Sequence, residues 1–146
     1  MEDPHFIFAP GDWTGEGKIW LSMVGEDLNF VTKWGSTARD PDGKIQCQQE
    51  IQVKGVPDLM HNDFCFFDLT PSAFSIQLEN QALGNIIGRG IRDKKLVAWE
   101  FRVPELGFEG YEFYELQPDG SYTMRAEYAT DDDFRTVISG RIWQGA

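Results

Sequence analysis

Gly11-Asp12-Trp13-Thr14-Gly15-Glu16-Gly17 opens the first strand-like run of this 146-residue chain. A Gly-x-Trp at the head of a first strand, in a chain of this length, predicts a sheet closed into a barrel around an interior. Gly15 and Gly17 allow the strand to bend as closure requires. Such a barrel either packs solid or holds a small ligand. The question therefore passes to the residues that face inward.

Outward from that stretch the dominant rhythm is period two, interrupted by turn residues at short intervals. Strand-like runs occupy about 13–23, 28–34, 45–53, 59–69, 74–78, 83–92, 95–103, 107–117, 122–129 and 134–143. Arg39-Asp40-Pro41-Asp42-Gly43 and Pro118-Asp119-Gly120-Ser121 are the clearest turns, because Pro presets one turn dihedral and Gly accepts positive φ. Asn80 to Leu83 suits a single helical turn, and no longer helix is expected. Short connections favour neighbouring antiparallel strands, and closure hides their edges. The expected fold is all-β: a single up-and-down antiparallel β-barrel of about ten strands over residues 11–146, preceded by an N-terminal arm at 1–10. A two-sheet sandwich is the structural competitor.

Composition narrows the function classes. The 24 acidic and 13 basic residues leave a net charge of −11, which repels polyanions, so nucleic acid is not an expected partner. Cys47 and Cys65 are the only two cysteines, too few for a secreted disulfide framework, and read as free thiols in apolar runs. No segment approaches the roughly 20 apolar residues of a membrane-spanning helix. Met1-Glu2-Asp3-Pro4 lacks the basic start of a signal peptide. The chain reads as a cytoplasmic protein without a membrane span.

Gly11-Asp12-Trp13, Gly15-Glu16-Gly17 and the closing run Ser139-Gly140-Arg141-Ile142-Trp143 together resemble the calycin group: lipocalins, fatty-acid-binding proteins and nitrobindin-like bacterial barrels. The resemblance implies a lipocalin-like barrel whose first-strand Trp13 lies across the closed end. It also implies that a basic residue of the last strand, here Arg141, stacks over that indole, a cation–π contact worth about 0.5–2 kcal/mol. The chain departs from each branch of the group. It reads as carrying neither leader nor disulfide framework, Gly25-Glu26-Asp27 leaves no room for a two-helix lid, and no histidine follows His61 in this sequence to hold haem as nitrobindin-like barrels do. No cofactor is implied.

Chemistry is sparse by sequence. His61, Asp63 and Cys65 share a strand face, with Cys47 on the preceding run, but no pair has zinc-type loop spacing and no metal site is read. The run Phe108-Glu109-Gly110-Tyr111-Glu112-Phe113-Tyr114-Glu115-Leu116 brings a carboxylate and a phenol to whichever face points inward. Glu100, Arg89 and Arg102 are the other polar side chains expected at the interior. Phe64-Cys65-Phe66-Phe67 predicts cover on both faces: the interior on one, the N-terminal arm or a homodimer contact on the other. The arm Phe6-Ile7-Phe8-Ala9-Pro10 is expected either to supply that cover or to plug one barrel end.

The resulting expectation is a binder of a small, largely apolar, fatty-acid-like ligand. Trp20, Phe30, Trp34, Trp99 and Tyr114 would bury its body, while Arg89, Arg102 or Glu112 fixes its polar end. One competing reading is an enzyme on the same barrel, with Glu112 and Tyr114 or His61 and Asp63 as acid–base groups. Another is a filled barrel acting through its surface.

Overall fold

Burial alternates along the strands as a closed sheet requires. In the third strand Ile45, Cys47, Gln49 and Val53 are buried, whereas Gln46, Gln48 and Glu50 between them face solvent. The computed structural model describes residues 5–131 and 134–145. Ten strands run β1 (Gly11–Leu21), β2 (Asp27–Ser36), β3 (Ile45–Val53), β4 (Met60–Phe67), β5 (Ala73–Asn80), β6 (Gly84–Arg92), β7 (Leu96–Val103), β8 (Phe108–Leu116), β9 (Tyr122–Thr130) and β10 (Arg135–Gln144). Each pairs antiparallel with the next, and β10 returns to β1, so the sheet is a closed barrel rather than a sandwich.

At the seam Gly17 stands opposite Gly140 and Ile19 opposite Ile138. A Cβ on Gly17 would lie 2.1 Å from the Ser139 carbonyl oxygen. Close approach of two backbones is therefore what glycine provides here.

The barrel has unlike ends. Phe6–Phe8 forms one 3₁₀ turn whose three residues are buried inside the end where β1 begins. Phe6 packs against the rings of Trp13, Trp34, Tyr114 and Tyr122 at centroid distances of 5.6, 5.4, 5.1 and 5.1 Å. Phe8 packs edge-on against Phe66 and Phe74, with the Arg92 guanidinium 4.7 Å above its ring. His5 ties the turn down: its Nε2–H donates to the Asp93 carbonyl at 2.6 Å, and the Tyr122 hydroxyl donates to Nδ1 at 2.8 Å. That assignment follows because a carbonyl only accepts. Residues 1–4 of the expected arm lie outside the described residues.

Trp13 does lie at this end, packed on Phe6 and Tyr122, but Arg141 does not clasp it. Inward positions on β10 include Ile138 and Ile142, so Arg141 projects outward and pairs with Asp119 at 3.2 Å. The apolar run of β4 is also covered differently from expectation. Phe64 and Phe66 face inward, and the arm packs on Phe66 from inside, leaving Cys65 and Phe67 half-buried on the outer face.

The opposite end is open. Its loops carry Met23, Val24, Val56, Leu59 and Leu106 as exposed apolar residues, Met23 at 81%. No helix among the described residues is long and apolar enough to cross a membrane.

Candidate functional site

Between the buried plug and the open end lies an aromatic floor. Trp34 stacks on Phe64 at 5.3 Å, Trp99 stacks on Tyr114 at 5.3 Å, and Trp34 meets Tyr114 edge to face at 6.0 Å. Above it is a cavity of about 320 Å³, lined mostly by apolar side chains. That volume is at the small end of the range for ligand pockets, roughly 300–1,000 Å³.

One wall carries a carboxyl group. β8 turns Glu112 and Tyr114 inward, two residues apart, and β9 turns Tyr128 inward beside them. Tyr114 donates to Glu112 Oε1 at 2.7 Å and Tyr128 donates to Oε2. Space for the Tyr128 ring comes from Gly110, directly opposite it on β8, where a Cβ would fall 2.1 Å from Tyr128 Cδ1. Glu112 is only 7% exposed. Burial pushes its pKa up, opposed in part by the hydrogen bonds from Tyr128 and Tyr114. Burial, reinforced by the adjacent carboxyl, raises both phenols well above their ordinary value of 10.0, so they remain donors. The nearby Trp99 indole N–H bears on the same carboxyl electrostatically without reaching hydrogen-bond geometry. It and the Trp34 N–H are buried and unpaired.

The other wall carries a row of neutral amides. Gln49 Nε2 donates to Thr32 Oγ1 at 3.2 Å, Asn62 Nδ2 donates to Gln49 Oε1 at 3.1 Å, and Asn80 Nδ2 donates to Asn62 Oδ1 at 3.0 Å. The Leu83 backbone N–H ends the row on Asn80 Oδ1 at 2.7 Å. Four strands, β2 to β5, are thus joined by inward polar side chains. These residues escaped the sequence reading, although Gln49 carried a signal: it is the one polar residue on the otherwise apolar face Ile45, Cys47, Ile51, Val53.

Of the residues expected to bind ligand, Phe30, Trp34, Glu112 and Tyr114 line the cavity, and Trp99 lies in its floor. Trp20, Arg89 and Arg102 are on the outer surface. Ile19 takes the inward position on β1, which turns Trp20 out. On β6 and β7 the inward residues are Ile86, Gly88, Gly90, Val97, Trp99 and Phe101, so Arg89, Glu100 and Arg102 alternate outward. Arg102 meets Glu109 there at 3.8 Å, an exposed pair of little energetic weight.

The metal and thiol alternatives also divide across the wall. His61 and Asp63 form an exposed pair at 3.1 Å on the outer face, whereas Cys47 faces inward. No group of three or more potential metal ligands converges among the described residues. Burial lifts the Cys47 thiol to about 12, which removes it as a nucleophile.

Glu112 makes stability pH-dependent in a defined direction. Its folded pKa is raised, so its favourable contribution is complete below the unfolded value of 4.5 and is lost as pH rises through the folded value. Asp93 and Asp119 are shifted down and act below about that range, equally in a variant that changes only Glu112. Thermal unfolding followed upward in pH from about 4.5 is expected to show wild type losing more stability than Glu112→Gln. Parallel curves would show that Glu112 ionises as freely as an exposed carboxyl.

Fold and site together define a calycin-like barrel, plugged at one end and hollow at the other. Comparison with known proteins agrees at the level of fold. No family model and no curated protein matches the chain by sequence. The S-type phycobiliprotein lyase CPES from Guillardia theta superposes with a TM-score of 0.68 over 94% of this chain and 88% of that one, at 6% identity. A Nitrosomonas europaea protein assigned as an ATTH aligns with 98% of this chain at 16% identity, with a TM-score of 0.37; the match spans 54% of that protein.

Proposed function

We propose that this barrel reversibly binds a small, largely apolar molecule in its open-ended cavity. The observation that carries the reading is the pairing of an aromatic floor with two separate polar walls, Glu112 with its tyrosines and the Gln49–Asn62–Asn80 row, around space left unfilled. A barrel whose interior served stability alone would fill that volume with side chains. Apolar burial supplies the affinity and the polar groups orient the ligand. The aromatic floor places Trp34 beside any occupant.

N-phenylnaphthylamine, a neutral apolar fluorophore, tests this directly. Saturable one-to-one binding with blue-shifted emission is expected. Thr136→Trp, which sets a large ring into the cavity lining, is expected to abolish it. A bilin belongs in the same panel, because a phycobiliprotein lyase shares the barrel. Absence of saturable binding, or binding indifferent to Thr136→Trp, refutes the cavity as the site.

A further inference from the structure

We infer that the cavity selects ligands whose polar end is a protonated amine or another N–H donor, and rejects carboxylates. This rests on the cavity-binding reading and specifies its ligand class. It replaces the fatty-acid-like ligand that the sequence suggested.

The argument begins with what the cavity lacks. The three charged residues along its lining are Glu16, Glu112 and Arg141. Glu16 is exposed on the outer face of β1, and the Arg141 guanidinium reaches Asp119 and Ser121 outside the barrel. Arg89 and Arg102 are outside as well, so among the described residues no cation faces the space where a carboxylate head would sit. A buried anion without a cationic partner carries a desolvation cost that nothing in this lining offsets. The two unpaired indole N–H groups do not offset it: Trp34 offers a single neutral donor, and the Trp99 N–H already bears on the Glu112 carboxyl.

What the cavity offers instead is acceptors. Each oxygen of Glu112 takes one tyrosine hydroxyl and the Trp99 N–H bears on the same carboxyl, so of about four lone-pair directions at least one remains for a ligand. An ammonium or amidinium group meeting that carboxyl forms a charge-assisted hydrogen bond in a dry site, the strongest type available there. The field outside points the same way. Described loops at the open end carry Glu26, Asp58, Glu105 and Asp131 against Lys54, on a protein of net charge −11. A cation is concentrated at that mouth and an anion is depleted.

Three ligands with one hydrophobic body separate the possibilities: naphthylmethylamine, naphthylmethanol and naphthoate, titrated calorimetrically into the intact protein at physiological salt. The amine is expected to bind about tenfold more tightly than the alcohol, and naphthoate about tenfold more weakly. Glu112→Gln is expected to erase the preference, so that amine and alcohol bind the variant within about twofold of each other. The ranking on wild-type protein needs no variant, so a folding defect in Glu112→Gln leaves the test intact. If the alcohol binds and the amine binds no better, the cavity reading stands and the amine preference is refuted. Naphthoate equal to the amine refutes it equally. If none of the three binds, both readings fall.

Discussion

Phe6→Ala is expected to cost about 3–5 kcal/mol, the range for removing a fully enclosed aromatic ring from a packed core. Phe6 touches four rings, two of which, Trp34 and Tyr114, also build the floor of the cavity. Its loss leaves a void between plug and floor that the surrounding closed sheet, hydrogen-bonded all the way round, has little freedom to fill. A domain of this size is stable by about 5–15 kcal/mol, so the variant should unfold roughly 10 °C lower and at markedly lower urea. A change below about 1 kcal/mol would mean that the segment is a dispensable appendage. The same experiment on His5→Ala should show a smaller loss, because His5 contributes two hydrogen bonds and a single edge-on ring contact.

Gly110→Val should injure both stability and binding. The new Cβ would fall 2.1 Å from Tyr128 Cδ1 and 2.7 Å from the Glu127 carbonyl oxygen. A ring can swing aside, whereas a carbonyl held in the β8–β9 ladder cannot. Overpacking of this kind costs about 1–3 kcal/mol. Tyr128 then leaves Glu112 Oε2, and the displaced ring enters the space a ligand would occupy. N-phenylnaphthylamine affinity should fall at least tenfold, equivalent to about 1.4 kcal/mol. Glu109→Val, one position earlier on the outer face of the same strand, is the control and should change stability by no more than about 0.5 kcal/mol. Equal behaviour of the two variants would show that Gly110 has no special role.

Most of the barrel was legible in the sequence, because period-two alternation needs no knowledge of neighbours. Turn residues set the strand limits to within a few positions, as at Asp40-Pro41-Asp42-Gly43, and one hydrophobic face per strand forces closure or a sandwich. The site was half legible. Phe30, Trp34, Glu112 and Tyr114 do face the cavity, as large aromatics and their neighbours on an inward face must. Trp20, Arg89 and Arg102, expected inside for their chemical type, lie on the outer face. Register decides which face a residue takes, and a shift of one position exchanges the faces. Arg141 failed for the same reason. The amide row was missed because Thr32, Gln49, Asn62 and Asn80 lie on four different strands, and only cross-strand register brings them together. For the arm Phe6-Ile7-Phe8-Ala9-Pro10 both outer cover and an end plug were open, because so short a segment carries no periodicity to choose between them; the buried 3₁₀ turn makes it the plug.

The pairing of β1 with β10 has a consequence for how the chain comes to be folded. Trp13 finds its partner at Gln144, and Ile19 at Ile138, more than a hundred positions along. As the chain leaves the ribosome, nine strands can zip to their neighbours one after another, yet the sheet stays an open, twisted ribbon until residues 135–144 emerge. Through that interval its inward face, with Phe64, Phe66, Trp99 and Tyr114, is uncovered and both of its edges are unpaired. Contacts this distant in sequence also form slowly. Folding of the barrel therefore finishes with a ring-closing step, and the nine-strand ribbon is most open to aggregation and chaperone capture just before β10 arrives.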